Sequence, residues 1–329
     1  MEKLRIVYLG TPDFAVEPLH RLVERQKCDE DCRFEVVGVV TMPDKMINKR
    51  GTQLLMSPVK QFAVENDIPL LQPVSLKDEE FLSALAEWRA DLQIVVAFRM
   101  LPESVWNMPR LGTFNLHASL LPQYRGAAPI NWAIINGDKE TGVTTFFLKH
   151  EIDTGDIIFQ DIVSIADDDT AGTLHDKLML TGGDTVLRTV EAIVAGKAEA
   201  LPQEKLYKSA DELRPAPKIF RDTCRIKWDS KLQNIYDFVR GMSPYPAAWA
   251  EILTADGASV AVKIYEASIE EAAHDKEWGT LLTDGKKYVK VAVDGGYIHL
   301  LSLQIPGKKR MAVADLLRGF NMQGAKVVK

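Results

Sequence analysis

An asparagine and a histidine two residues apart in an apolar run, Phe114-Asn115-Leu116-His117, are the side chains here whose types and spacing could do chemistry. Along a β-strand, positions i and i+2 share a face, so Asn115 and His117 point one way while Phe114 and Leu116 point the other. An amide can donate to a carbonyl oxygen as charge grows on it, and an imidazole can carry a proton near neutral pH, a pairing suited to acyl transfer. A carboxylate completes the set. Asp153 lies in the turn Asp153-Thr154-Gly155-Asp156, where it would orient His117 and set its charge, and Gly155 is expected to take a positive φ there. Left unpaired in a sheet, each buried polar side chain would cost about 1–3 kcal/mol, so the fold or a substrate must pair it. The ordinary alternatives are a core histidine satisfied by the fold and an aspartate that merely builds an Asx-turn.

These residues need a scaffold, and the sequence supplies one. In the first ~110 residues, short β-rich runs alternate with helical patterns, as in parallel βαβ units. Strands are expected at residues 4–10, 34–41, 68–73, 92–98 and 112–117, with helices at 12–26, 57–67 and 78–90. Ser57 followed by Pro58 is a helix start, a capping hydroxyl before a first helical residue with no N–H to lose. The strand carrying Asn115 and His117 ends in the loop Leu120-Leu121-Pro122-Gln123-Tyr124-Arg125-Gly126, then a helix near 128–136 that stops at Gly137. Ligands of open α/β sheets bind outside the carboxyl ends of the strands, where this loop begins. Two further strands, at 142–150 and 155–165, and a long helix over 169–196 follow.

From residue 197 the texture changes. Three prolines and little periodicity mark residues 197–217 as a linker, and beyond them short β runs separated by Asp-Gly, Gly-Gly and Gly-Lys turns suggest a small β-barrel. The expected fold is therefore α/β: a Rossmann-like domain with a mostly parallel sheet at 1–196, then an OB-like barrel at 218–329. The formal net charge of -6 hides an asymmetry. From Leu213 onward there are 18 Lys and Arg against 13 Asp and Glu, a balance of +5, leaving -11 before it. A basic C-terminal part on an acidic catalytic part points to an anionic macromolecule as partner.

Several classes are excluded or weakened. No run approaches the roughly 18 uninterrupted apolar residues of a membrane span, and the N-terminus enters a strand without a signal-peptide core, so a cytosolic protein is expected. Cys28, Cys32 and Cys224 form no ligand set with His or acids, so no metal and only reduced thiols are expected. A nicotinamide oxidoreductase fits poorly: the turn after the first strand has one glycine where a dinucleotide fingerprint has three, and the second strand ends in Thr41 rather than an acid. A non-catalytic RNA-binding module would have no use for Asn115 and His117 on one face.

Asn115-x-His117, the Ser119-Leu120-Leu121-Pro122-Gln123-Tyr124-Arg125-Gly126 loop and the Asp153-Thr154-Gly155-Asp156 turn together resemble the 10-formyltetrahydrofolate-dependent formyltransferase family. Further stretches carry the resemblance over nearly the whole chain, among them residues 9–22, 95–102, 226–229 and 300–311. It implies transfer of a formyl group from 10-formyltetrahydrofolate to the α-amine of methionine on initiator tRNA, and a monomer is the default expectation. The alternative acceptor is a nucleotide sugar or small amine, against which the charge split and the segment 41–56 argue. By this resemblance Asn115, His117 and Asp153 are catalytic, with Ser119, Leu120, Leu121 and Pro122 beside them. Ala97, Phe98, Arg99, Met100 and Leu101 would form a wall for the pterin ring, with Thr154, Gly155 and Asp156 in the opposing loop. The segment 41–56 is similar to an insertion that approaches the tRNA acceptor end, with Arg50 as its RNA contact. Lys308, Lys309 and Arg310, in the turn Gly307-Lys308-Lys309-Arg310, would hold phosphates.

Overall fold

Apolar runs alternating with amphipathic stretches fold as parallel βαβ units in the computed structural model, which describes residues 2–46 and 54–328. One unit comprises residues 1–126, 141–163 and 175–215; the other comprises 127–140, 164–174 and 216–329. In the first unit β1 (Leu4–Gly10) leads through a short 3₁₀ turn into α1 (Val16–Cys28) and β2 (Phe34–Val40). A two-residue antiparallel ladder, β3 (Lys45–Met46) against β4 (Leu54–Leu55), comes next. Then follow α2 (Pro58–Glu65), β5 (Leu70–Leu71), α3 (Glu79–Glu87), β6 (Leu92–Val96), α4 (Glu103–Trp106) and β7 (Thr113–His117). After α5 (Pro129–Ile135), which belongs to the second unit, come β8 (Glu140–Phe147), β9 (Ile157–Ser164) and the 24-residue α6 (Ala171–Val194).

Local signals explain the helix starts. Ser57 Oγ accepts the Lys60 N–H at 3.1 Å with Pro58 as first helical residue, and Asp78 Oδ1 accepts the Glu80 N–H at 3.1 Å. The strand order is β5-β2-β1-β6-β7-β8-β9. Pairing is parallel from β5 to β7 and antiparallel between β7 and β8. The strand expected to run to residue 98 stops at Val96, because Ala97 takes a φ of 47° and the extended ladder cannot continue through a left-handed residue. Behind β7, Leu116 faces α6 at Gly182, where a Cβ would lie 2.7 Å from Leu116 Cδ2. Glycine inside a helix costs about 1 kcal/mol relative to alanine, and here it lets the helix close on the strand that carries Asn115 and His117.

The second unit is built on one antiparallel sheet, with β10 (Ala248–Leu253), β11 (Ser259–Glu271), β12 (Leu281–Thr283), β13 (Val289–Val293), β14 (Gly296–Gln304), β15 (Met311–Ala312) and β16 (Lys326–Val327). The order is β12-β13-β14-β11-β10-β16, with β15 paired to β14. A bridge between Thr280 and Lys326 brings the two edges together, so the sheet is a nearly closed barrel. Besides α5, this unit holds α7 (Leu232–Met242) and α8 (Val313–Leu316). The sequence expectations lacked α7, although Leu232, Ile235, Val239 and Met242 recur at helical spacing and all four are buried in the barrel core around Trp228. On its other side Arg240 is buried with Asp237 at 2.8 Å and donates to the Asp169 carbonyl at 3.0 Å. The three cysteines are free thiols.

Candidate active site

The period-2 pattern of β7 places Asn115 and His117 together at the strand's C-terminal end, and the register sets Asn115 opposite Val95 of β6 and Phe146 of β8. The half-buried Asn115 side chain makes no hydrogen bond with any described residue. Its amide is thus a donor that the fold leaves open. His117 is buried, and its Nε2 lies 2.9 Å from the Tyr124 carbonyl oxygen. A carbonyl can only accept, so Nε2 carries the proton and donates, which leaves Nδ1 as the nitrogen available for exchange.

Asp153 Oδ2 stands 3.9 Å from His117 Nδ1, beyond hydrogen-bond range, and accepts the Gly126 N–H at 3.0 Å. The orientation of the imidazole therefore comes from Tyr124, while Asp153 faces the exchangeable nitrogen across a short gap. Its carboxylate reaches another loop instead of capping its own turn. The positive φ expected at Gly155 is found two residues earlier, at Asp153 (55°). Gly155 is required for a different reason: a Cβ there would lie 1.6 Å from the Phe147 carbonyl oxygen, so only glycine lets the turn lie against β8.

Most of the signature loop is support. Ser119 is fully buried, its hydroxyl donating to the Gln123 carbonyl at 2.6 Å, and Thr144 Oγ1 donates to the Ser119 carbonyl at 2.6 Å. Thr144 Oγ1 also accepts the Leu121 N–H at 3.1 Å, and Gln160 Nε2 donates to the Leu121 carbonyl at 2.8 Å. Leu121 and Pro122 are buried with them, and Leu120 is partly exposed. At the neighbouring strand end, Ala97 is exposed, and Phe98 and Leu101 pack against the buried apolar cluster that includes Leu9, Val40 and Val95. Arg99 donates to the Val74 and Pro73 carbonyls at 2.8 and 2.5 Å, and burial lowers its pKa. Met100 is 76% exposed. Thr154 Oγ1 donates to the Glu151 carbonyl at 3.1 Å, and Asp156 accepts from Lys149 at 2.7 Å, a hydrogen bond that raises the lysine's pKa.

Gln203 was not among the expected site residues. It lies in the stretch read as a linker, is fully buried, and donates from Nε2 to the carbonyls of Asp153 and Gly155 at 2.9 and 2.8 Å. Its Oε1 accepts from Arg125 Nη2 and Nε at 2.7 and 3.1 Å, so one amide ties the signature loop to the Asp153 turn. Gln203→Leu should orphan two carbonyls and a guanidinium, lowering stability by about 2 kcal/mol or more and slowing catalysis with it. Gln203→Glu should keep the Arg125 pair but lose the donor to Asp153 and Gly155. Thermal unfolding and turnover measured on both variants check this, and a Gln203→Glu enzyme with wild-type turnover would show that the turn needs no such strut.

Of the expected RNA contacts, Arg50 lies outside the described residues. Lys308 and Lys309 sit exposed in the β14–β15 hairpin, and neither pairs with a carboxylate among the described residues. Arg310 differs, since its guanidinium pairs with Glu266 and donates to Ser302 Oγ at 2.8 Å. Among the described residues no helix is long and apolar enough to cross a membrane.

Known proteins match nearly the whole chain. The family described as "Formyl transferase" matches residues 4–190, and "Formyl transferase, C-terminal domain" matches residues 218–321. A methionyl-tRNA formyltransferase of Bacteroides fragilis is 60% identical over 324 residues, covering 98% of this chain and 97% of that protein. One from Bacteroides thetaiotaomicron is 61% identical over 321 residues, with the same coverage. Among solved structures, HypX from Aquifex aeolicus in complex with tetrahydrofolic acid superposes with a TM-score of 0.62 at 20% identity, over 96% of this chain and 47% of HypX. The sugar 3N-formyl transferase WlaRD gives 0.62 at 20% identity, over 94% of this chain and all of WlaRD. These two share the fold, whereas the Bacteroides proteins share most of the sequence as well, and on that ground the chain belongs to the formyl transferase family, within its methionyl-tRNA formyltransferases.

Proposed function

We propose that this enzyme transfers the formyl group of 10-formyltetrahydrofolate to the α-amine of methionine on initiator tRNA, for the start of translation. The observation that carries the reading is the open Asn115 amide beside a buried His117 at the end of β7, in a chain so close to methionyl-tRNA formyltransferases. Formyl transfer forms a carbon–nitrogen bond to the attacking amine, breaks the one to the donor nitrogen, and moves a proton from the first nitrogen to the second. Asn115 donates to the formyl oxygen while it carries negative charge. His117, held at Nε2 by Tyr124, takes up and returns the proton at Nδ1. Asp153 faces that nitrogen with its negative charge. The pterin ring lies against the wall of Ala97, Phe98, Arg99, Met100 and Leu101, with Thr154, Gly155 and Asp156 opposite.

In this reading residues 1–196 catalyse, residues 197–217 connect, and the barrel at 218–329 holds tRNA. The enzyme works as a cytosolic monomer without a metal. Arg50 acts at the acceptor end, and Lys308, Lys309 and Arg310 contact phosphates. The test is a formylation assay with labelled 10-formyltetrahydrofolate, offering charged initiator tRNA, charged elongator tRNA and an amino sugar nucleotide in parallel. Transfer to the sugar alone would overturn the assignment.

Lys308→Ala combined with Lys309→Ala is expected to weaken initiator and elongator tRNA alike. Removing two charges that neutralise phosphates should flatten the slope of log affinity against log salt by about 1.8 for a duplex region. A salt titration of binding checks this; an unchanged slope would remove the hairpin as a phosphate grip.

A further inference from the structure

Within the second unit a cavity of about 610 Å³ opens beside the β14–β15 hairpin, and neither the catalytic reading nor the hairpin lysines account for its chemistry. Three aromatic side chains line it: Phe220, Tyr245 and Trp249. Phe220 is 63% exposed and Tyr245 82% exposed, so neither ring belongs to the barrel core. Isolated exposed aromatics are common on proteins, but three converging on one concavity are not explained by chance exposure. Trp249 is held in place, its indole N–H donating to the Arg221 carbonyl at 2.8 Å. The Arg221 and Arg225 guanidiniums stand 6.0 and 5.6 Å from its ring centroid, and Lys218 Nζ stands 5.6 Å from that of Phe220.

The charge of the lining has one sign. Arg221 and Lys263 are its ionisable cations, and no carboxylate lines the cavity among the described residues. Small residues make the room: Ala261 precedes Lys263 on the same face of β11, and Gly307 begins the hairpin that carries Lys308 and Lys309. The amide of Gln304 is already fixed, donating to the Lys308 carbonyl at 2.8 Å and accepting from the Tyr265 hydroxyl at 2.7 Å. A volume of this size falls in the ~300–1,000 Å³ range of pockets for small ligands and is too confined for a helical duplex. Exposed π faces combined with cations and no acid are the chemistry that captures a single-stranded base with its phosphate.

We propose that this cavity takes one unpaired, unstacked nucleotide of the RNA substrate, its base stacking on Tyr245 and Phe220 and its phosphate meeting Arg221 and Lys263. The proposal rests on the reading of the barrel as the tRNA-holding unit and adds to it a contact that depends on a base being out of a helix. Stacking is insensitive to salt, while phosphate contacts release counterions, so the two kinds of residue should separate in one experiment.

The experiment measures affinity of the full-length enzyme for charged initiator tRNA across a salt series, together with formylation by the wild type. Tyr245→Ala and Phe220→Ala are each expected to weaken binding roughly 5- to 150-fold with an unchanged salt slope. Tyr245→Trp should restore it, because it returns a stacking face. Lys263→Gln should instead flatten the slope by about 0.7, the value for one single-strand phosphate. Both aromatic side chains are exposed, so their truncation leaves the core intact, and thermal unfolding of each variant verifies that. If the wild type binds and formylates tRNA while both aromatic variants bind as tightly as it does, the stacking site is overturned and the parent reading stands. Absence of formylation by the wild type overturns the parent reading and this site with it.

Discussion

Asn115→Ala is expected to slow single-turnover formyl transfer about 10²- to 10³-fold while leaving folate binding nearly unchanged, the loss of about 2.7–4 kcal/mol typical of one oxyanion donor. The reasoning starts from what the fold does not do with this side chain. Asn115 is half-buried on a central strand, yet its amide has no hydrogen-bond partner among the described residues. A donor kept open at a strand end costs the folded protein little if water reaches it, and gains value when a substrate oxygen replaces that water and then takes on charge. The interaction is therefore stronger in the transition state than in the ground state, so its loss lowers kcat more than it raises KM. Asn115→Asp should be as damaging, since an acceptor would then face a developing negative charge. Single-turnover rates near wild type for both variants would remove Asn115 from the chemistry.

His117→Ala should cost roughly 10²- to 10⁴-fold in the same measurement, the usual range for loss of a positioned proton carrier. Tyr124 accepts the Nε2 proton at 2.9 Å, so the ring has one nitrogen committed to structure and one, Nδ1, left for exchange beside Asp153. Truncation also removes the hydrogen bond that His117 donates to the Tyr124 carbonyl, worth about 1 kcal/mol of stability. The rate must therefore be read with thermal unfolding of the same variant, at a temperature where it is fully folded. A slow but folded His117→Ala enzyme supports the proton-carrier role; a destabilised enzyme with wild-type rate would leave His117 as a buried strut for the signature loop. If both residues act in the same transfer step, one on the formyl oxygen and the other on the migrating proton, the double variant should lose less than the product of the single losses.

The signals that survived translation into structure were local ones. Alternation along residues 113–117 was enough to put Asn115 and His117 on one face, and Ser57-Pro58 and Asp78 were enough to start two helices, because each depends on backbone geometry within a few residues. Gly155 was singled out correctly as a glycine but for the wrong reason. A turn sequence shows where the chain bends, and only the packed structure shows that Phe147 comes within the space a Cβ would fill. The helix Leu232–Met242 had a readable apolar period that the many short β runs around it overshadowed.

What the sequence by itself determined was the inventory and its order: a parallel βαβ domain, a following barrel, an amide and an imidazole at one strand end, an acidic half and a basic one. These are set by residue type, by periods of 2 and 3.6, and by net charge, none of which requires knowing what touches what. Partnership was decided by the tertiary structure alone. Tyr124 rather than Asp153 orients His117, Asp153 grips Gly126, Gln203 ties the two loops from fifty residues beyond Asp153, and Arg310 pairs with Glu266. A buried donor takes whichever acceptor the packed chain brings within about 3 Å, and that distance depends on the closure of many long loops at once, which no stretch of sequence encodes on its own.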